Sequence, residues 1–208
     1  VVLYDTTYSV DMQIGVEAQR LACNRELLVT MTRSSIDVID SRTGHVLTSE
    51  YSLNLDTAKH GELSVVAISS MNVVGLGTTK GRGLLIEQGK DPLIFFAHCN
   101  RATKTNYPVT SLAMLGKLMV TSGDDGVLNL WNTSQRQVEG WVGHEAWRPV
   151  ALGFAGFNLA GVEQNGEAYR VVVYDSFDVT SRILSCEEPL PEGEKVPGLK
   201  LRTGTPAT

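Results

Sequence analysis

The chain has 208 residues, a hydrophobic content of 42% and a formal net charge of −5. With a mean hydropathy of −0.03, it has the composition of a globular protein rather than a disordered one. It contains no run approaching the roughly 18 apolar residues of a membrane-spanning helix, and its acidic charge argues against general nucleic-acid binding.

The cysteines and the start of the chain indicate its setting. Cys23, Cys99 and Cys186 are odd in number and far apart, which predicts neither a disulfide framework nor a zinc site. We expect reduced thiols in an intracellular protein, cytoplasmic or nuclear. The chain opens without an initiator Met or a basic stretch, so we expect it to begin inside a longer polypeptide.

A pattern of one bulky residue followed by a short polar one recurs along the chain. The bulky residues are Tyr4, Ile39, Ile86, Trp131 and Tyr174, with spacings of 35, 47, 45 and 43 residues. Periods of this length are typical of repeated four-stranded units.

Alternating segments separated by turn residues predict the strands of each unit. After a half-unit at the start of the chain, the second unit has strands at 19–23, 26–31, 35–39 and 46–53. The third has strands at 63–68, 73–78, 83–87 and 93–97. The fourth has strands at 109–115, 117–122, 127–132 and 137–142, and the fifth at 150–154, 158–164, 169–175 and 182–186. Residues 1–187 therefore form the repeat region. Residues 188–208, which contain several Pro and Gly, are predicted to be an irregular tail in which 198–202 could add one short strand.

The best-preserved unit ends in Thr121, Asp125 and Trp131, with an Asp-Asp-Gly turn before its last alternating strand. This segment resembles the WD40-repeat β-propeller family, in which these three positions and a His form a hydrogen-bonded set inside a blade. The resemblance implies that Thr121, Asp125 and Trp131 are structural. Gly143-His144 matches the dipeptide that opens the next repeat. In the unit of Trp131 the expected His position holds Thr105 and Asn106, and His98 could serve only across a longer loop.

The resemblance implies an all-β WD40-like propeller with four full four-stranded blades after the last two strands of a preceding blade. Because such an arc does not close a ring, we expect it to be the C-terminal part of a larger propeller of about seven blades. A compact five-bladed ring completed by the tail is the less favoured alternative.

Catalysis and cofactor binding have no support in the sequence. Residues 75–81 are rich in Gly, but they match neither nucleotide-binding pattern and a strand follows them rather than a helix. The four His residues lack metal-ligand spacing, and no nucleophile motif is present. We therefore predict no enzyme, cofactor, metal or small-molecule substrate.

The resemblance implies a top face built by the turns between second and third strands and by the loops between blades. Its cationic residues are Arg33, Lys80 and Arg82 in turns, and Lys59, His60, Arg101, Lys104 and Arg148 in loops. Trp147 stands beside Arg148, and Trp and Arg are enriched at binding hot spots. The hypothesis is a scaffold for protein–protein interactions in a multisubunit complex, with acidic or phosphorylated peptides bound on this face.

Two alternatives stay open. One is a substrate-recognition module of a ubiquitin ligase, since Arg42 lies at the offset that some WD40 proteins use to dock on an adaptor. The other is a nucleic-acid-associated scaffold, which the basic loops favour and the net charge disfavours.

Overall fold

The computed structural model describes residues 2–4, 10–13, 18–51, 53–100, 102–134, 137–143, 147–156, 158–174 and 201–202. In the strands at 2–4, 10–13, 137–143 and 201–202 the description is limited to the backbone. Within these ranges the chain is almost entirely β, and no helix is long and apolar enough to cross a membrane.

The strands form a series of antiparallel sheets in chain order. A two-stranded sheet of β1 (Val2–Tyr4) and β2 (Val10–Gln13) comes first. The first blade consists of β3 (Arg20–Cys23), β4 (Leu27–Met31) and β5 (Ile36–Asp40). A short helix, α1 (Thr57–His60), precedes the second blade of β6 (Leu63–Ile68), β7 (Val74–Thr78), β8 (Arg82–Ile86) and β9 (Leu93–Phe96).

A small hairpin separates the second and third blades. It consists of β10 (Cys99–Asn100) and β11 (Thr105–Asn106). The third blade contains β12 (Val109–Leu115), β13 (Leu118–Gly123), β14 (Val127–Asn132) and β15 (Gln137–Gly143). The fourth contains β16 (Arg148–Ala155), β17 (Asn158–Asn165), β18 (Ala168–Tyr174) and β19 (Leu201–Arg202).

The predicted all-β repeat of antiparallel sheets is confirmed, but the first blade has three strands rather than four. The segment 46–53 was predicted as its outer strand, and here only Val46 pairs with Ile39 in an isolated bridge. The chain instead turns back, because the Leu47 carbonyl accepts a hydrogen bond from the Glu50 amide at 2.9 Å. The prediction of a strand at 46–53 is therefore wrong for its described part.

Two features were not predicted, namely helix α1 and the hairpin β10–β11. In the fourth blade, the two residues of β19 pair with Val173 and Tyr174, so the segment 198–202 does supply a short strand. The predicted outer strand at 182–186 lies outside the described residues.

The core lies between successive blades rather than within any one of them. Each of three apolar clusters joins two neighbours: the first and second blades, the second and third, and the third and fourth. All residues of β7 and β13 are buried because both faces of these strands are covered, and both strands consist of apolar and small residues.

Hydroxyl groups on the first strands bind the second blade to the third and the third blade to the fourth. Ser64 Oγ donates to the Val109 carbonyl at 2.8 Å, and Thr110 Oγ1 donates to the Pro149 carbonyl at 3.1 Å. The Leu152 amide in turn donates to Ser111 Oγ at 2.9 Å. These bonds hold β6, β12 and β16 side by side.

A buried network and a basic edge as candidate functional sites

The third blade contains a chain of four hydrogen-bonded side chains. Trp131 Nε1 donates to Thr121 Oγ1 at 3.0 Å, and Thr121 Oγ1 lies 3.0 Å from His98 Nε2. His98 Nδ1 lies 3.0 and 3.1 Å from the two carboxylate oxygens of Asp125. The network thus joins β13, β14 and the turn between them to the segment before the hairpin.

The order of donors follows from the chemistry of the four groups. The indole of Trp131 can only donate, and the Asp125 carboxylate accepts. With His98 protonated on Nδ1, its Nε2 accepts the Thr121 hydroxyl proton, so every group in the chain is satisfied.

Although Thr121, His98 and Asp125 resemble a catalytic triad, their setting is structural. Thr121 and His98 are both fully buried, so the hydroxyl does not meet a substrate. The same hydroxyl oxygen already accepts the Trp131 N–H. In a buried position such a satisfied network stabilises a unique packing.

The fourth member of the network is His98, to which the sequence alone assigns no firm role. The hairpin β10–β11 is the longer loop that this residue requires, because it takes up the chain between His98 and β12. At its base, the Tyr107 amide donates to the His98 carbonyl at 3.1 Å. The turn-forming residues Asn100 to Asn106 were the available sequence signal for this hairpin. His144, which the resemblance placed in the next blade, lies outside the described residues.

The fourth blade uses different residues for a comparable buried contact. Glu163 is fully buried and accepts from Tyr174 Oη at 2.8 Å and from Arg170 Nε at 2.8 Å. The Arg170 guanidinium lies 4.3 Å from the ring centre of Trp147. Burial, followed by the hydrogen bond to Glu163, raises the pKa of Tyr174 well above its ordinary value. Trp147 is half-buried just before β16, and Arg170 partly covers its ring.

The turns between second and third strands meet the loops before the first strands, and we call this side the loop edge. The Arg33 carbonyl accepts the Leu63 amide at 2.7 Å, and the Glu62 carbonyl accepts the Thr79 amide at 2.9 Å. The Gly81 carbonyl accepts the amides of Ala97 and His98 at 2.9 and 3.1 Å. The bond between Arg33 and Leu63 thus joins the first blade to the second, and the other bonds hold the turn and the loops of the second blade in place.

Three of the cations predicted for the top face lie on the part of the loop edge that the first and second blades form. Arg33 is exposed and its Nε lies 3.9 Å from Glu62 Oε2. Lys80 Nζ donates to the carbonyl of Ala58 in α1 at 2.5 Å. Arg82 stacks on Phe96, with its guanidinium carbon 3.3 Å from the ring centre.

Helix α1 adds Lys59 and His60 to the same region. The Asp56 side chain caps the helix by accepting the Lys59 amide, and Thr78 Oγ1 donates to the His60 carbonyl at 2.7 Å while accepting the Arg82 amide at 3.0 Å. Burial, followed by the charges of Lys59 and Arg82, lowers the pKa of His60. Its imidazole is therefore neutral at pH 7, beside a positive field.

The remaining candidate residues are spread along the edge or lie beyond the description. Lys104 is exposed on the hairpin turn, with a φ of 55°, and Arg148 is exposed at the start of β16. Arg101 lies outside the described residues. Asp124 and Glu167 are exposed in the turns of the third and fourth blades, so the basic region is confined to the part of the edge near α1.

Two other sequence features have structural explanations. Arg42 lies in an exposed turn, where its amide and that of Thr43 donate to the Asp40 carboxylate at 2.9 and 2.8 Å. These backbone hydrogen bonds, with that of Thr43 the stronger influence, lower the pKa of Asp40.

Gly75 and Gly77, in the segment that suggested a nucleotide loop, lie in β7 against side chains of the third blade. Among the described residues no three His, Cys, Asp or Glu side chains gather as a metal site.

Comparisons with known proteins show the fold. No protein-family model matches the chain, and no curated protein matches it. A solved structure of the mitotic checkpoint complex is 15% identical with a TM-score of 0.65, over 99% of this chain and 58% of that one. Hsv2 from Kluyveromyces lactis is 13% identical with a TM-score of 0.62, over 93% of this chain and 59% of that one.

A third similar structure is shorter. The computationally designed Ika4 protein is 20% identical with a TM-score of 0.53, over 77% of this chain and 97% of that one. The chain thus spans somewhat more than half the length of the checkpoint-complex and Hsv2 chains. These likenesses and the sheet topology identify the fold as a β-propeller.

Proposed function

We propose that this chain is a non-enzymatic propeller scaffold that holds other proteins in a multisubunit assembly. We further propose that it binds an acidic or phosphorylated peptide on the basic part of the loop edge, which comprises Lys59, Lys80 and Arg82. The buried network of the third blade then has a supporting role, since it stabilises the blade beside that edge.

The observation that carries the proposal is a group of cations without carboxylate partners. Among the described residues, no Asp or Glu lies within salt-bridge distance of Lys59, Lys80 or Arg82. Lysine and arginine groups in this state are free to form charge-assisted hydrogen bonds with a carboxylate or phosphate. Arg33 contributes less, because Glu62 already neutralises part of its charge.

The surroundings of these cations favour a peptide ligand. Phe96 is 52% exposed beneath Arg82, so an apolar contact is available next to the charges. A rigid backbone also supports the site, because hydrogen bonds fix both the turn 79–81 and helix α1. Preorganised groups of this kind lose little conformational entropy on binding.

Charge reversal on this edge tests the proposal. We expect Lys59→Glu combined with Lys80→Glu to weaken binding of a Glu-rich peptide, and of its phosphoserine counterpart, at least about tenfold, since two attractive charges become repulsive. Fluorescence anisotropy with labelled peptides at two salt concentrations measures the effect, and wild-type binding should weaken as salt screens the charges.

The matched control is Lys117→Glu, because Lys117 is exposed in the turn between β12 and β13, at the opposite end of these strands. This variant should bind the peptides as the wild type does. Equal binding by the wild type and the double variant would overturn the proposed site. Tighter binding of a single-stranded RNA oligonucleotide than of either peptide would instead favour the nucleic-acid alternative.

A further inference from the structure

The turn between β17 and β18 carries the only asparagine of the sequence that is followed by a glycine, Asn165-Gly166. The backbone nitrogen of the residue after an asparagine can attack the side-chain amide carbon and close a five-membered ring. A side chain on that following residue hinders the attack, and glycine has none. Asparagine in this context is therefore chemically labile.

The fold presents this pair on the loop edge, at the tip of a hairpin. Asn165 pairs with Ala168, so Gly166 and Glu167 form a two-residue turn, in which Gly166 has a φ of 57°. Asn165, Gly166 and Glu167 are all exposed. Water and hydroxide therefore reach both the side-chain amide that reacts and the backbone nitrogen that attacks it.

The two reacting groups have no competing partners. Among the described residues, neither the Asn165 side chain nor the Gly166 amide takes part in a hydrogen bond, whereas Gln164 Nε2 donates to the Gly166 carbonyl at 2.9 Å. Ring closure requires the peptide unit between Asn165 and Gly166 to rotate. A Cβ placed at Gly166 would meet no described heavy atom within 4 Å, so the turn has room for that rotation.

The equivalent turn of the third blade supplies an internal contrast. Asp125 is also followed by a glycine with a positive φ, Gly126 at 73°, and an aspartate reaches the same ring by loss of water. There the carboxylate lies 3.0 Å from His98 Nδ1 and accepts the Val127 amide at 3.1 Å. The attacking nitrogen is also engaged, because the Gly126 amide donates to the Gly123 carbonyl at 3.0 Å. Ring closure at Asp125 would first have to break these bonds.

We propose that Asn165 is a deamidation site, at which the fourth blade gains a negative charge without the action of an enzyme. The Gly166 nitrogen gives up its proton to hydroxide and bonds to Asn165 Cγ. The bond between Cγ and Nδ2 breaks, and the nitrogen leaves as ammonia with a proton from water. Water then adds to one of the two ring carbonyls. Opening of the ring yields aspartate or isoaspartate, with no oxidation or reduction.

Both products change the loop edge at the fourth blade. The new carboxylate lies beside Glu167, so this turn carries two negative charges instead of one. Isoaspartate also inserts a methylene group into the backbone at the end of β17, which disturbs the bond between Gln164 and the Gly166 carbonyl. The basic part of the loop edge lies at the second blade, so the modification and the proposed peptide site stand or fall independently.

Peptide mapping by mass spectrometry tests the site. The folded chain is incubated in mildly alkaline buffer, sampled over time and cut with trypsin. The peptide that ends at Arg170 is then separated into its asparagine, aspartate and isoaspartate forms. We expect Asn165 to convert at least about tenfold faster than Asn106, which is exposed as well but is followed by a tyrosine that hinders the attack.

Gly166→Asn is the matched variant, because asparagine tolerates a positive φ while its side chain hinders ring closure. Conversion of Asn165 should slow at least about tenfold in this variant, with an unchanged circular dichroism spectrum. Equal rates for Asn165 and Asn106 in the wild type, or a rate at Asn165 that Gly166→Asn leaves unchanged, would overturn the proposal.

Asp125 tests the part of the proposal that depends on the fold. In the folded chain isoaspartate should form at Asn165 and not at Asp125, because only the turn of the fourth blade leaves its reacting groups unbonded. In urea, which removes the bonds to His98, Val127 and Gly123, Asp125 should form isoaspartate as well. Isoaspartate that forms at Asp125 of the folded chain as fast as at Asn165 would contradict the structural argument.

Discussion

At the scale of single residues, stability in the third blade depends on groups that have no alternative partners. His98 and Thr121 are fully buried, and the Trp131 indole N–H and His98 Nε2 both meet the Thr121 hydroxyl. Glu163 has the comparable position in the fourth blade, where an Arg and a Tyr satisfy it. In both blades a buried polar group is tolerated because each of its atoms is paired.

Thr121→Val removes the shared hydroxyl while keeping the shape of the side chain. We expect it to lower the free energy of unfolding by about 2–4 kcal/mol, because a buried donor and a buried acceptor lose their partner. Urea unfolding monitored by circular dichroism measures the change.

The control for this substitution is Thr103→Val, at an exposed threonine of the hairpin, for which we expect a change within about 0.5 kcal/mol. A second check is the combination with Trp131→Phe, which removes the N–H donor. Its effect should be less than additive. Strictly additive losses would show that the four side chains do not act as one network.

At the scale of elements, close approach between blades sets the composition of the second strands. Gly77 of β7 lies where a Cβ would be 2.5 Å from Val109 Cγ1 and 2.6 Å from Val65 Cγ2. The glycine therefore lets β12 pack directly on β7. The hairpin β10–β11 lengthens the connection between the second and third blades. His98, which precedes it, therefore lies at the base of the third blade.

Gly77→Ala should lower the free energy of unfolding by about 1–3 kcal/mol, since the added methyl group overpacks the contact between β7 and β12. Gly153→Ala is the matched control on a strand with open space, and we expect it to raise stability by about 0.5 kcal/mol. Thermal and urea unfolding in dilute solution compare the two. A loss of equal size for both would show that overpacking at the contact between β7 and β12 is not the cause.

At the scale of the whole molecule, the three clusters make neighbouring blades depend on each other. No described blade has an apolar core of its own, because the buried side chains of each face meet the next sheet. Stability in such repeat arrays resides in the interfaces as much as in the units. A substitution in one interface should therefore also lower the stability of blades that do not contribute to that interface.

Leu76→Ala tests this coupling at the interface of the first and second blades, where Leu76 is fully buried. We expect a loss of about 2–5 kcal/mol. The tryptophans Trp131, Trp141 and Trp147 all lie in the third and fourth blades, so their fluorescence reports on distant units. The fluorescence transition should shift as far as the circular dichroism transition.

Leu21→Ala is the control, because Leu21 is 55% exposed in the first blade; neither transition should move appreciably. If Leu76→Ala shifts the circular dichroism transition and leaves the fluorescence transition in place, the blades unfold separately.

The sequence by itself determined the repeat, the strand pattern and three members of the buried network. These features are local: alternation and turn residues act over a few positions, and Thr121, Asp125 and Trp131 lie within one hairpin. The tertiary structure alone decided that His98 completes the network, since a hairpin of unpredicted conformation brings it back. It also decided which cations gather beside α1. Those outcomes depend on contacts between distant segments, on which local patterns carry no information.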